Sequence, residues 1–215
     1  MTYLQLVNGV LRRLRENEVT TWDESRYSTM VGDFVNDAKR IVEGRWNWSA
    51  NRSEIVVTTA DATDTYALTG FGQDGKVLSA YNDTSNALLI KKPQAWFDRQ
   101  NAVQNKPSGA PNYYCFRGVD ASDDTQIEVW PTPNGVYSLD FYVATYQADL
   151  TADSDVLNIP TLPVLHLAVA MLAEEKGEAV GLSSARYFQM ADKFLSDAIM
   201  FDSTKNSEEL EWVQV

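Results

Sequence analysis

Hydrophobic and polar positions change their period twice along this chain, from helical spacing near the N-terminus to strict alternation in the middle and back to helical spacing after Pro160. Leu4, Val7, Leu11 and Leu14 recur at helical steps behind Thr2, a suitable cap, with Arg12, Arg13 and Arg15 near the end where cations suit the dipole. That predicts an amphipathic helix ending by Asn17. Thr21-Trp22-Asp23-Glu24 has capping-box spacing and predicts the start of a second helix. Its stripe of Tyr27, Met30, Phe34, Ala38 and Ile41, flanked by Val31, Val35 and Val42, should pack on the first helix, and Gly44 should end it.

From Arg52 the pattern turns to short β-type runs at 54–59, 65–68, 76–81 and 87–91, which reads as an antiparallel meander. Residues 93–100 can form a helical turn or two, 105–111 a surface loop, and 113–117 a strand. The centre of the chain is residues 125–146. Ile127 and Val129 alternate with Gln126, Glu128 and Trp130, and Tyr137, Leu139, Phe141 and Val143 alternate with Ser138, Asp140 and Ala144. Pro131, Pro133 and Asn134-Gly135 lie between, so a β-hairpin is expected. Such a hairpin is marginal alone and needs cover on its apolar side.

Helical spacing returns after a polar link at 149–159. Pro160 and Pro163 suit the start of a helix with a Leu162, Leu165, Val169 and Leu172 stripe, breaking at Gly177. Ser183 or Ser184 can cap a last helix whose buried face is Phe188, Ala191, Leu195 and Ile199. The expected fold class is therefore α+β. A four-helix bundle from the N- and C-terminal helices (1–50 plus 160–203) would carry an inserted antiparallel β-sheet domain (51–150) and an extended C-terminal tail (204–215).

Composition narrows the function. Hydrophobic residues at 44% and charged residues at 22% are globular values over 215 residues. A formal net charge of -12 lacks the basic stripe that nucleic-acid binding uses, so no specific binding to DNA or RNA is expected. No apolar run is long enough for a membrane span, and the N-terminus lacks the pattern of a signal peptide, so a soluble protein made in the cytoplasm is expected. The single cysteine, Cys115, excludes an internal disulfide and reads as an inert packing residue.

Candidate chemistry is sparse. His166 is the only histidine, set between Leu165 and Leu167 with no second ligand, and reads as structural. Asp123-Asp124, Glu174-Glu175 and Glu208-Glu209 are adjacent pairs whose side chains point apart, and they read as solvated surface. Gly70-Phe71-Gly72 and Gly75 are turn glycines without a phosphate-loop signature. No catalytic residue, metal site or cofactor is expected, and the protein is read as a non-enzyme.

Aromatic residues say more. The chain has 6 Trp and 10 Tyr, and Trp46, Trp48, Trp96, Trp130 and Trp212 fall at element ends or in loops. Of Trp46 and Trp48, one is expected to anchor the junction between helices and sheet. Trp212, in an otherwise polar C-terminus, reads with Leu210, Val213 and Phe201 as a partner-binding set that docks an arm on a partner or a neighbouring copy. If exposed Trp stood on a β-face instead, a glycan-binding module would be the alternative.

The helix pair, Arg45-Trp46-Asn47-Trp48, Val129-Trp130-Pro131-Thr132-Pro133, the run from Tyr137 to Tyr146 and the link from Ala148-Asp149-Leu150 to Leu157-Asn158-Ile159-Pro160 together resemble the head-to-tail adaptors of tailed bacteriophages, of the tail tubular protein A type. The resemblance covers nearly the whole chain. It implies a virion protein of the neck, present as a ring of about a dozen copies under the portal protein. It implies binding to that portal, to a tail nozzle or tail-tube protein and to itself, with helices around a channel through which DNA passes at ejection. It also implies a C-terminal extension that reaches neighbouring subunits or the portal, which would make Phe201, Leu210, Trp212 and Val213 the portal-binding or subunit-binding set; another tail-completion or baseplate component is the alternative.

Overall fold

The computed structural model describes residues 1–102, 106–176 and 184–206. Five helices are present among them: α1 (Tyr3–Arg13), α2 (Arg26–Arg45), α3 (Gln94–Asn101), α4 (Thr161–Glu175) and α5 (Ser184–Ser203). Eight strands accompany them: β1 (Arg52–Thr58), β2 (Thr65–Ala67), β3 (Lys76–Asn82), β4 (Ala87–Leu88), β5 (Ile90–Lys91), β6 (Tyr113–Val119), β7 (Thr125–Trp130) and β8 (Ser138–Ala144). The chain divides into two compact units, Met1–Asn51 with Gln147–Val215, and Arg52–Tyr146.

In the first unit the Thr2 side chain accepts from Gln5 N while the Gln5 side chain accepts from Thr2 N, a reciprocal cap that starts α1. The box expected at Thr21 does not open a helix. Glu24 instead accepts from the Thr20 backbone and hydroxyl, and α2 begins one turn later, where Ser25 and Ser28 cap reciprocally. α2 then continues through Gly44 to Arg45.

Leu6, Val7, Val10 and Leu11 of α1 are buried against Val31, Val35, Ala38 and Val42 of α2 and Val164, Leu165, Ala168 and Val169 of α4. Each of these valines and leucines contributes roughly 1.5–3 kcal/mol by leaving water. Gly9 permits the approach of α1 to α4, because a Cβ there would stand 2.7 Å from Leu165 Cδ1. α5 packs chiefly along α4. Its Ala191 is buried, but Phe188, Leu195 and Ile199 are only half-buried, so α5 flanks a three-helix core instead of closing a bundle.

The expected polar link at 149–159 is part of this core. Leu150, Leu157 and Ile159 are buried, and Tyr3 N and Leu157 N bond across to Asp155 O and Met1 O. Both tryptophans of Arg45-Trp46-Asn47-Trp48 serve this unit. Trp48 is buried and donates to Val42 O, while Trp46 donates to Asp202 of α5. Beneath them Lys39 and Glu43 form a fully buried pair at 3.3 Å. Glu43 Oε1 also accepts from Asn51 Nδ2 at 2.9 Å and Gln147 N at 3.0 Å, and Lys39 donates to Gln147 O.

The second unit holds two four-stranded sheets, ordered β1-β8-β3-β4 and β2-β7-β6-β5. One core lies between them, formed by Val57, Ala80, Leu139, Phe141 and Val143 from the first and Leu68, Tyr114, Ile127 and Val129 from the second side, with Tyr114 edge-on to Phe141 at 5.4 Å. The strands arise where alternation predicts them, but the pairings differ. β7 and β8 do not form a hairpin: they lie in different sheets, and residues 131–137 carry the chain from one to the other. Alternation fixes which face is buried and leaves the lateral partner open. Nor is there a meander, since β1 pairs with β8 and β5 runs parallel to β6.

These observations correct the expected fold class. The described residues form a mixed α+β structure of five helices and two four-stranded sheets, not a four-helix bundle with an inserted antiparallel β-domain. α3 belongs to the β-rich unit, and one sheet contains a parallel pair.

Candidate interaction surfaces

Of the expected partner-binding residues, Leu210, Trp212 and Val213 lie outside the described residues, as does the Glu208-Glu209 pair. Phe201 is described and is 67% exposed near the end of α5, beside the equally open Met200. It stands on the rim of a cleft of about 460 Å³ between the start of α4 and the end of α5. Leu162 and Pro163 line one side, and Phe194, Ala198 and Phe201, spaced by helical turns, line the other. Charge borders the apolar floor. Asp202 accepts from Ser49 N and Trp46 Nε1 and lies 3.6 Å from Lys205. Burial alone would push its carboxyl up, but the hydrogen bonds from Ser49 and Trp46 outweigh that and hold it below the ordinary range.

A second surface went unmarked in the sequence. The outward side chains of β1-β8-β3-β4 include Val56, Tyr81, Leu88 and Tyr142, all exposed. In register, Val56, Asp140, Tyr81 and Leu88 form one row across the four strands, and Glu54, Tyr142 and Ser79 form the next. The two tyrosine rings meet edge-on at 6.0 Å, with open depressions of about 630 and 400 Å³ beside Tyr142. The Tyr142 hydroxyl is pushed above its ordinary pKa, first by the charge of Glu54. Tyr142 shares the polar parity of Ser138 and Asp140, and an aromatic at that parity was the available signal.

The other sheet is covered. Phe97 of α3 is buried on Cys115 and Trp130, and Trp96 packs at 5.2 Å on Tyr113 and 6.2 Å on Trp130. Arg117 fixes this lid, bonding Asp98 of α3 at 2.7 Å and also Glu128, whose other oxygen accepts from Asn101 of α3 at 2.7 Å. The described tryptophans are thus buried or half-buried, so the exposed Trp platform that a glycan-binding module would use is not found among them.

The histidine and the cysteine singled out in the sequence serve packing. His166 is buried, with its ring stacked on Phe194 at 4.9 Å and on Tyr187 at 6.1 Å, and burial, then the charge of Arg13, lowers its pKa. The Cys115 thiol is pushed up to about 11, mainly by burial. Asp124 is not idle surface, for it accepts from Gly70 N and Gly72 N and closes that turn, while Asp123 accepts from Gln73. Glu174 and Glu175 are exposed. Among the described residues, no group of three His, Cys, Asp or Glu side chains could hold a metal ion, and no helix is long and apolar enough to cross a membrane.

The sequence profile of the SU10 adaptor protein family matches residues 1–210. No curated protein matches the chain.

Proposed function

Because the chain belongs to the SU10 adaptor protein family, we propose that it is the head-to-tail adaptor of a tailed bacteriophage, a structural virion protein. It forms a ring, dodecameric by resemblance, beneath the portal, joins the portal to the tail nozzle or tube and lines part of the DNA channel. The observation that carries the reading is the family match over nearly the whole chain. The role is mechanical and not enzymatic, in keeping with the buried His166 and Cys115 and the turn-closing Asp124. A net charge of -12 suits a channel along which DNA slides without sticking.

Phe201 near the end of α5, with Leu210, Trp212 and Val213 after it in the sequence, forms the partner-binding set that engages the portal or the next subunit. The exposure of Phe201 beside an apolar cleft supports this. The test is negative-stain imaging with light scattering of the protein mixed with the portal ring encoded beside it. Added density with the symmetry of the portal is expected, and a bare portal beside free monomer refutes the reading. Deleting 206–215 should leave a folded chain that no longer joins the portal.

A further inference from the structure

The uncovered face of β1-β8-β3-β4 is apolar and acidic at once. Val56, Tyr81, Leu88 and Tyr142 are open to water, and Glu54, Asp83 and Asp140 stand among them, with Arg52 and Lys76 only at its far end, where both pair in register with Ala144. Two such faces brought together would oppose carboxylates, so the face is poorly suited to a second copy of itself.

The same unit carries a complementary surface on the other sheet, beginning two residues after Leu88. At the edge strand β5, Ile90 is 45% exposed and is followed by Lys91 and Lys92, with Arg99 exposed on the neighbouring α3. Aromatic rings hold the two lysines, Lys91 Nζ lying 4.3 Å from the Phe116 ring centre and Lys92 Nζ 5.2 Å from that of Tyr113. Among the described residues, none of these three cations is paired with a carboxylate. Lysines on an edge strand guard it against indiscriminate pairing, and they also leave positive charge beside an apolar residue.

We propose that the Tyr81 and Tyr142 face of one copy docks on the Ile90 to Lys92 edge of the next. The two surfaces are different, so the contact is head-to-tail, and repetition about an axis closes a ring. The inference rests on the ring-forming adaptor reading and assigns one of its subunit contacts.

The test uses full-length chains carrying Tyr142→Cys, Ile90→Cys or both, mixed with the portal ring and oxidised; native Cys115 is buried and stays out of the reaction. A ladder of disulfide-linked oligomers that requires both substitutions is expected. Dimers from Tyr142→Cys alone would show face meeting face and overturn the proposal. A ring on the portal in which the doubly substituted chain forms no disulfide between neighbouring copies would overturn it while leaving the adaptor reading intact. Failure to bind the portal at all would overturn that reading and the contact with it. Charge supplies a second measurement. Glu54→Lys with Asp83→Lys, or Lys91→Glu with Lys92→Glu, should weaken association about tenfold or more, and all four in one chain should restore it. Unaltered association in the reversed chains refutes the contact, as does quenching by a polysaccharide in place of self-association.

Discussion

On the sheet β2-β7-β6-β5 the outward Cys115 and Trp130 lie beneath α3, whereas on β1-β8-β3-β4 the outward Tyr81 and Tyr142 lie beneath nothing among the described residues. Both sheets have four strands and share one core, so the inner faces cannot account for the contrast. The outward side chains can. A thiol and an indole gain from leaving water, and a helix carrying Trp96 and Phe97 covers them, with Arg117 satisfying the carboxylates left at its edge. A tyrosine keeps its hydroxyl in water while offering an apolar ring, and such a face can wait for a partner.

The largest test of that contrast is truncation on each side. Phe97→Ala should cost about 3–5 kcal/mol in urea unfolding, because it opens a cavity under α3, while Tyr142→Ala should cost under about 1 kcal/mol. Equal losses would mean that the open face already stabilises the chain as a core does. Next, Arg117→Met should cost about 2–3 kcal/mol, since Glu128 is buried and would keep only Asn101 as a side-chain partner. Thermal or urea unfolding would measure it, and a loss near zero would show that α3 holds by its apolar contacts alone.

Smaller in energy but sharper in location is Cys115. With a thiol pKa of about 11, roughly one molecule in a thousand is thiolate at pH 8, so maleimide labelling should be slow in the native chain and faster in Phe97→Ala. The weakest effect concerns the helical unit, where α5 covers His166 much as α3 covers Cys115. Its folded pKa lies below the unfolded one, so the unfolded chain takes up the proton first. Stability should therefore be full above about pH 6.5 and fall as the pH drops below it, a slope that His166→Phe should abolish in melting curves.

The contrast also marks what was legible in the chain. Strand positions could be read because inward residues such as Leu139, Phe141 and Val143 alternate, and α1 could be read from Thr2 and its leucine stripe. Pairing could not, because β8 pairs with β1, whose residues lie 80 to 92 positions earlier by register, and no local pattern encodes that distance. The start of α2 was misplaced because Thr21-Trp22-Asp23-Glu24 and Ser25-Arg26-Tyr27-Ser28 compete, and the second is the one that leads directly into the buried stripe. For exposed surface, the sequence marked Phe201, an aromatic where helical spacing gives way to a polar run, along with Leu210, Trp212 and Val213 outside the described residues. It missed Tyr81 and Tyr142, since only the layout of four strands brings them side by side.

One consequence of the buried Glu43 reaches beyond stability. The same carboxylate oxygen receives Asn51, where the chain leaves the helical unit, and Gln147, where it comes back. Exit and return are thus clasped at one carboxylate oxygen, so a change at either end of residues 52–146 is felt by the same buried pair. A laboratory chain with 52–146 replaced by a short glycine turn should keep the helical circular-dichroism signal, because the clasp still joins 51 to 147. Lys39→Met, by loosening the clasp, should remove that tolerance first.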